Sequence, residues 1–318
     1  MTAEISSSPA PDVDGAQGDG PRPKLSVILI SYNMAREVPR TLQSLSPPIQ
    51  KGIAVEDYEI ILVDNGSSQV FAERGYQAIS PNIRTIRNDP QGSVSPVGAI
   101  ERGMAAARGD LIGVLIDGAR MASPGLLATA LKAAELAEQP VVATIAFHLG
   151  PDEQMKSIHE GYNQEVEDAL LRQSGWRQDA YRLFNISTLA GSSRLGWFHL
   201  PAETNALFMK RETWDAVGGF DPGFQTPGGG LCNLDVWKRA CLHPGNEVIL
   251  LFGEATFHQF HGGVATNAKV SPYQTYQQEY TQLRGEPYTR PDVPFSIYGS
   301  VQRRIAQTIR YEKPEDTA

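Results

Sequence analysis

Leu25-Ser-Val-Ile-Leu-Ile-Ser-Tyr-Asn33 decides how the rest of the chain is read. Its apolar residues fall on odd and even positions alike, whereas a strand with one wet face alternates. A strand buried on both faces, as in a parallel sheet, is therefore expected over residues 25–30. It stops at Ser31-Tyr32-Asn33, and Glu37 to Leu45 then carries apolar residues at helical spacing. Further along, Tyr58 to Val63 reads as a second strand running into the turn cluster Asp64-Asn65-Gly66-Ser67-Ser68. Ile83 to Ile86 is a third strand, followed by a loop from Asn88 to Pro96. The Ala-rich run from Val97 to Arg108 predicts a helix capped by Gly109, and Leu111 to Ile116 a strand ending at Asp117. Ser123-Pro124 is expected to open a helix, serine as cap and proline in the first turn, with a strand following over Val141 to Phe147.

Strands alternating with helices predict an α/β protein with a Rossmann-like, mostly parallel sheet flanked by helices. Ligands of such sheets bind at the carboxyl ends of strands, near a reversal of strand order. Here those ends carry Ser31-Tyr32-Asn33, Asp64-Asn65 and Asp117-Gly118. The same residue types dominate ordinary turns, so the pattern alone leaves a site and a set of turns both open.

Composition narrows the rest. The 318 residues are 41% hydrophobic and 20% charged, enough for a sizeable core and unlike a fibrous, coiled-coil or disordered chain. A net charge of −8 argues against a nucleic-acid partner. The two cysteines, Cys232 and Cys241, are too few for a disulfide framework and suit a reducing, cytoplasmic setting. Residues 1–23, rich in Ser, Pro, Gly and Asp, read as a disordered tail without the basic and apolar parts of a secretory leader. No apolar run is long enough for a transmembrane helix. Gly-x-Gly-x-x-Gly after the first strand, Gly-x-x-x-x-Gly-Lys-Ser/Thr, His-Glu-x-x-His and Gly-x-Ser-x-Gly are all missing, which removes the usual dinucleotide, phosphate-loop, zinc-protease and serine-hydrolase readings.

Four motifs in order carry a resemblance: Leu25 to Asn33, Ile61-Leu-Val-Asp-Asn-Gly-Ser-Ser68, Ala107-Arg-Gly-Asp-Leu-Ile-Gly-Val-Leu-Ile-Asp117 and Val217-Gly-Gly-Phe-Asp221. Together they resemble glycosyltransferase family two. The resemblance implies a GT-A fold over residues 24–270, with a nucleotide-sugar-binding half (24–120), an acceptor half (121–270) and a C-terminal extension (271–318). It implies an enzyme that moves a sugar from a nucleotide-diphosphate donor to a hydroxyl acceptor, a saccharide or small molecule, with inversion. Ser31, Tyr32 and Asn33 would lie against the nucleoside, Asp64 would take a hydrogen bond from the base edge, and Asn88 and Gly92 would border the nucleotide. Asp117 matches the first acid of the family's Asp-x-Asp motif, which carries a divalent cation, manganese or magnesium, and the sugar diphosphate. A cation there would offset charge on the leaving group.

The chain departs from the family twice. Asp117-Gly118-Ala119-Arg120 lacks the second acid. Gly118 and Ala119 leave room for phosphate, and His258 or, preferably, His261 would complete the metal shell, imidazole favouring manganese. Without a metal, Arg120 would meet phosphate directly. Alignment on Asp235-Val-Trp-Lys-Arg239 also puts Cys232-Asn233 where the family's catalytic Glu-Asp pair stands, and an amide is no base at neutral pH. Asp235, the nearest acid, is the expected catalytic residue, with Glu203, Asp221 and His199 in reserve. Asn233 is expected to cap the helix that holds Asp235.

The acceptor half supplies Glu203 and Asn205 as acceptor contacts, ahead of a strand over 206–209. Trp176, Tyr181, Phe184, Trp197 and Phe198 offer either an acceptor pocket or core packing. Tyr273, Tyr276 and Tyr280, near helical spacing, would pack back on the domain or build a homodimer. Two competitors to the inverting enzyme stay open: a non-catalytic nucleotide-sugar-binding protein of the same fold, and a retaining transferase that needs no such base.

Overall fold

The computed structural model describes residues 22–69, 73–89, 94–262 and 272–308. Gly92, most of the expected N-terminal tail and the chain end from 309 lie outside these residues. Ten strands are described: β1 (Leu25–Ser31), β2 (Tyr58–Asp64), β3 (Ile83–Arg87), β4 (Leu111–Leu115), β5 (Arg120–Ala122), β6 (Pro140–Leu149), β7 (Ser187–Leu189), β8 (Leu207–Lys210), β9 (Glu247–His258) and β10 (Ser296–Gly299). The helices are α1 (Val38–Ser44), α2 (Glu73–Gln77), α3 (Val97–Ala106), α4 (Leu126–Ala134), α5 (Gln154–Ser157), α6 (Gln164–Ser174), α7 (Arg211–Val217), α8 (Cys232–Leu242) and α9 (Tyr273–Arg284).

One sheet runs in the order β10-β9-β6-β8-β4-β1-β2-β3, with β5 added to β9 and β7 to β6. β1 is parallel to both β2 and β4, and β2 to β3, so these four strands deliver their carboxyl ends to one edge. Strand order reverses at β1, because β2 and β3 grow to one side of it and β4 lies on the other. β8 runs antiparallel between β4 and β6, and β6, β9 and β10 are mutually parallel.

β1 is buried at every position. Ile28 and Ile30 enter one core layer with Ile61, Val63, Val97 and Ile100. Leu25, Val27 and Leu29 enter the layer on the opposite face with Val38, Leu42, Leu126 and Leu127. The run of apolar residues at both parities thus has its physical cause, helices covering both faces of a parallel strand.

Local expectations fail where a tertiary contact claims the residue. Gly109 does not cap α3, whose last turn gives way at Ala107 to extended backbone. Its own N–H donates to Ser26 Oγ at 2.8 Å, and a Cβ there would lie 2.6 Å from the Ser26 backbone nitrogen, so Gly109 is small to pass close to β1. Ser123 does not cap α4 either: Gly125 stands at that position, and Ser123 Oγ donates to Glu254 Oε2 instead. α8 begins at Cys232 after Leu231, so Asn233 lies inside the helix rather than capping it. α9 packs back on the domain through the buried rings of Tyr276 and Tyr280, the latter against Phe224 and Tyr288.

Gly113 of β4 is paired with Phe208 of β8, and a Cβ on it would come within 2.4 Å of the fully buried ring. Gly113→Ala should therefore lower unfolding stability by roughly 1–3 kcal/mol through overpacking, read as a fall in the denaturant midpoint at unchanged slope.

Candidate active site

The edge where β1, β2 and β3 end holds a cavity of about 110 Å³ lined by Ser31, Met34, Asp64, Ser67, Tyr76 and Arg87. Asn33 and Asp64 meet beside it through Ser67. Asp64 Oδ1 accepts from Ser67 N (3.0 Å) and Ser67 Oγ, while Asn33 N donates to Ser67 Oγ (2.8 Å). Asn33 takes a left-handed φ of 54°, a conformation asparagine tolerates, and its Oδ1 accepts from Ser68 N and Oγ. The Asn33 side chain is thus spent on fastening the loop after β2. Asp64 Oδ2, in contrast, is buried and finds no hydrogen-bond donor among the described residues. Tyr32 stands at the mouth, half exposed.

Two expected donor contacts have other duties. Asn88 is buried, with its Nδ2 donating to Asn65 Oδ1 at 2.7 Å, so it buttresses the loop from behind. Gly118 passes close to β1: a Cβ there would touch Ile30 O and Ser31 Cβ at 3.0 Å, and its carbonyl accepts from Thr41 Oγ1. The glycine is small because the chain leaving β4 dives under the end of β1.

Asp117, on the neighbouring strand end, belongs to a second cluster. Arg120 of β5 pairs in register with His258 of β9, which pairs in turn with His148 of β6. That ladder brings Asp117 Oδ2 to 2.9 Å from His258 Nε2 and 3.4 Å from His261 Nε2, the two ring nitrogens being 3.0 Å apart. All three donor atoms lie within 4.8 Å of one another. Burial is the largest influence on each group. It pushes His258 down to about 4, assisted by Arg120, so this imidazole is neutral at pH 7. Burial opposes the charge on Asp117 too, but His261 and His258 outweigh it and hold the carboxyl well below its usual range. Asp117 Oδ1 accepts from Ala119 N, which leaves Oδ2 directed at the imidazoles.

The backbone that presents the two histidines is gripped from several sides. Phe260 N donates to Glu167 Oε2 (2.6 Å), and Arg36 Nη1 donates to Phe260 O (3.0 Å). Gln259 N donates to Ala119 O and Gln154 Nε2 to His258 O. Arg120 is nine-tenths buried, its Nε 3.6 Å from Asp117 Oδ2, and Nε and Nη1 have no hydrogen-bond partner among the described residues. A neutral imidazole, a second imidazole and a carboxylate form a donor set that fits a borderline divalent cation such as manganese better than magnesium.

Asp235 does not join this cluster. It is 1% exposed, and its two oxygens take hydrogen bonds from Arg239 Nε, Arg284 Nε and Arg284 Nη2 at 2.6–2.8 Å. With Lys238 and Glu286 it borders a separate surface cavity of about 330 Å³. A carboxylate clasped by two guanidiniums ties α8 to α9, so the structure places the expected catalytic Asp235 in an ion-pair cluster apart from Asp117. Asp221 is held by the same Arg284 (2.7 Å). Cys232 is buried and its thiol is pushed up by burial and by neighbouring carboxylates, so it is neither base nor nucleophile. Asn205 is buried, whereas Glu203 is half-buried and takes a hydrogen bond from Asn233 Nδ2 at 3.1 Å. Trp176, Tyr181, Phe184 and Trp197 are buried in the core, not in an acceptor pocket; Phe198 alone of these aromatics is exposed. The Asn233–Glu203 contact and the grip on Phe260 join residues at least 30 positions apart, and nothing in sequence spacing foretells them.

Comparison with known proteins gives three findings. The family described as Glycosyl transferase family 2 matches residues 26–198, more than half of the chain. Curated proteins return no match. Among solved structures, S. aureus TarS 1-349 in complex with UDP-GlcNAc is similar at a TM-score of 0.50 and 14% identity, covering 82% of this chain and 65% of that one. S. aureus TarS in a second structure gives 0.48 and 12%, covering 81% and 42%. The chain therefore spans just under two thirds of the first TarS chain and less than half of the second. At such identity the likeness speaks for the fold.

Asp235→Asn should cost roughly 2–4 kcal/mol of stability, because two guanidiniums lose the charge that balances them. Thermal melts would show that loss. Ligand binding at the Asp64 cavity, normalised to folded protein, should stay within twofold of the wild type.

Proposed function

The chain belongs to glycosyl transferase family 2 and carries the GT-A fold, and from that premise we propose that it transfers a sugar from a nucleotide-diphosphate donor to a hydroxyl acceptor with inversion. The observation that carries the reading is the pairing of two adjacent features at one sheet edge, the cavity with the open Asp64 Oδ2 and the Asp117–His258–His261 cluster. The nucleoside lies in the first, with Asp64 accepting a hydrogen bond from the base edge and Ser31 and Tyr32 against the ring and ribose. The diphosphate lies along Asp117, where Arg120 contributes a fixed positive charge. The sugar and the acceptor point toward Glu203 and Asn205.

Asp117, His258 and His261 would hold a divalent cation of the manganese class. Bound there, it would supply positive charge against the leaving diphosphate. The protein's own groups bind and orient: Asp64 selects the base, the gripped loop at residues 258–261 keeps two imidazoles aimed at Asp117, and burial keeps His258 unprotonated and available as a ligand. No described helix is long and apolar enough to cross a membrane.

A thermal-shift panel of UDP-, GDP-, dTDP- and CDP-sugars, each with and without manganese, tests this reading. Uridine donors head the panel because the similar TarS structure holds UDP-GlcNAc. A cognate donor at a hundred times its dissociation constant should add about 2.7 kcal/mol of stability. Asp64→Ala should remove most of the nucleotide-dependent shift. Asp117→Ala and His261→Ala should remove the manganese-dependent part, a readout independent of turnover. A panel in which no nucleotide or metal moves the melting temperature would sink the proposal.

A further inference from the structure

We propose that Glu203 is the general base that takes the proton of the acceptor hydroxyl, and that Asn233 is the residue that positions it. The inference rests on the transferase reading above and assigns the one role that reading leaves empty.

Elimination comes first. Asn233 is an amide, Cys232 a buried thiol pushed up from its ordinary range, and Asp235 and Asp221 are both bound by Arg284. α8 therefore offers no free carboxylate to the site. What it offers is a donor: Asn233 Nδ2 reaches Glu203 Oε2 at 3.1 Å and Thr204 O at 2.9 Å. The acid that the helix lacks is thus supplied by the chain entering β8 and gripped by the helix.

Position follows from register. β8 runs antiparallel to β4 with Leu207 opposite Val114. The residues just before β8 consequently run along the edge at which β4 releases Asp117, and Glu203 lies within electrostatic reach of Arg120, the neighbour of Asp117. Its backbone is pinned on both sides. Trp237 Nε1 donates to Pro201 O (3.1 Å), Tyr288 Oη to Ala202 O (2.7 Å) and Thr204 Oγ1 to Thr144 O (2.9 Å). Three carbonyls in a row of four residues are held by side chains, yet the residue between them keeps part of its surface exposed. Among the described residues no donor occupies Oε1. One oxygen fastened and the other open to a ligand, on a rigid backbone, is the arrangement a positioned base requires.

In the step itself, a lone pair of the acceptor oxygen forms the bond to the anomeric carbon. The bond from that carbon to the diphosphate oxygen breaks, its electron pair leaving with the nucleoside diphosphate. The hydroxyl proton passes to Glu203 Oε1, so charge and atoms balance. The charged and titratable groups facing Glu203 are Arg120 of β5, Cys232 of α8 and Tyr288. Only the first carries a charge at neutral pH.

The experiment uses the full chain, the same nucleotide-sugar panel with manganese, and water as the acceptor, reading release of nucleoside diphosphate. Glu203→Gln, equal in shape, should melt within a few degrees of the wild type and keep the donor-dependent thermal shift. Its kcat should fall about 10²–10⁴-fold, as expected when a general base is lost. Asn233→Ala should lower kcat about tenfold at unchanged donor KM, and Asn233→Ser, which restores a donor, should recover part of it. Glu203→Gln retaining more than a tenth of wild-type kcat overturns the assignment of the base while leaving the transferase reading intact. Wild-type silence on every donor overturns both. A parallel fall of kcat and donor binding in Glu203→Gln also counts against the proposal, since it marks a structural or donor-binding residue.

Discussion

The site depends on a ladder of three residue pairs, β5 against β9. Without it the chain leaving β4 would have no reason to return across the sheet, and Asp117 would end a strand as a solvated turn residue. With it, Arg120 sits opposite His258, and Asp117 is carried to within hydrogen-bond distance of an imidazole from a strand 130 residues later. The ladder is short, so the surrounding grips matter. Gln259 N to Ala119 O extends it by one bond, and Glu167 with Arg36 fixes Phe260 from the α6 and α1 side. Two imidazoles next to one carboxylate are then held in place before any ligand arrives, which is the condition for electrostatic assistance at low reorganisation cost.

The first half of the fold, through β4, was legible because its signal is local. Leu25 to Ile30 reads as buried on both faces from six residues alone, and the strand ends at Ser31, Asp64 and Asp117 fall where apolar runs stop. The strands through β4 follow the expected bounds to within a residue or so. What local reading missed is every residue recruited from a distance. Ser123 looks like a cap and serves Glu254, Gly109 looks like a cap and makes space beside β1, and Asn233 looks like a cap and holds Glu203. In each case the propensity was real, but a contact more than 25 positions away claimed the side chain or the space.

Asp235 shows the same limit on the functional side. As the acid nearest to Cys232-Asn233 it was the expected catalytic residue, and its neighbours along the helix gave no sign of Arg284, which arrives from α9. That contact changes the meaning of the residue from reactive to structural. An acid is useful as a base when one oxygen is free; a carboxylate that accepts from two guanidiniums has a charge already satisfied. Glu203 has the opposite history. It stands in an irregular run before a short strand, marked in the sequence as an acceptor contact and a reserve acid, and the structure adds that Trp237, Tyr288 and Asn233 hold the backbone around it.

Loss of the second acid at residue 119 becomes intelligible through the balance of charge. A nucleotide-sugar carries two negative charges on its diphosphate. Asp117 and Arg120 cancel, the neutral His258 adds nothing, and a divalent cation ligated by His258, His261 and Asp117 would bring two positive charges to match the donor. A second carboxylate in place of Ala119 would leave that match one charge short unless a further cation were present, and it would have to be buried, because Ala119 is fully enclosed. Burying an unmatched carboxylate carries a cost of several kcal/mol. On the proposed reading, two imidazoles and an arginine would stand in for one acid, the histidines as ligand atoms and the arginine as charge. Replacing Ala119 by aspartate alone, with Arg120 and the histidines unchanged, would work against this balance rather than restore the family's pattern.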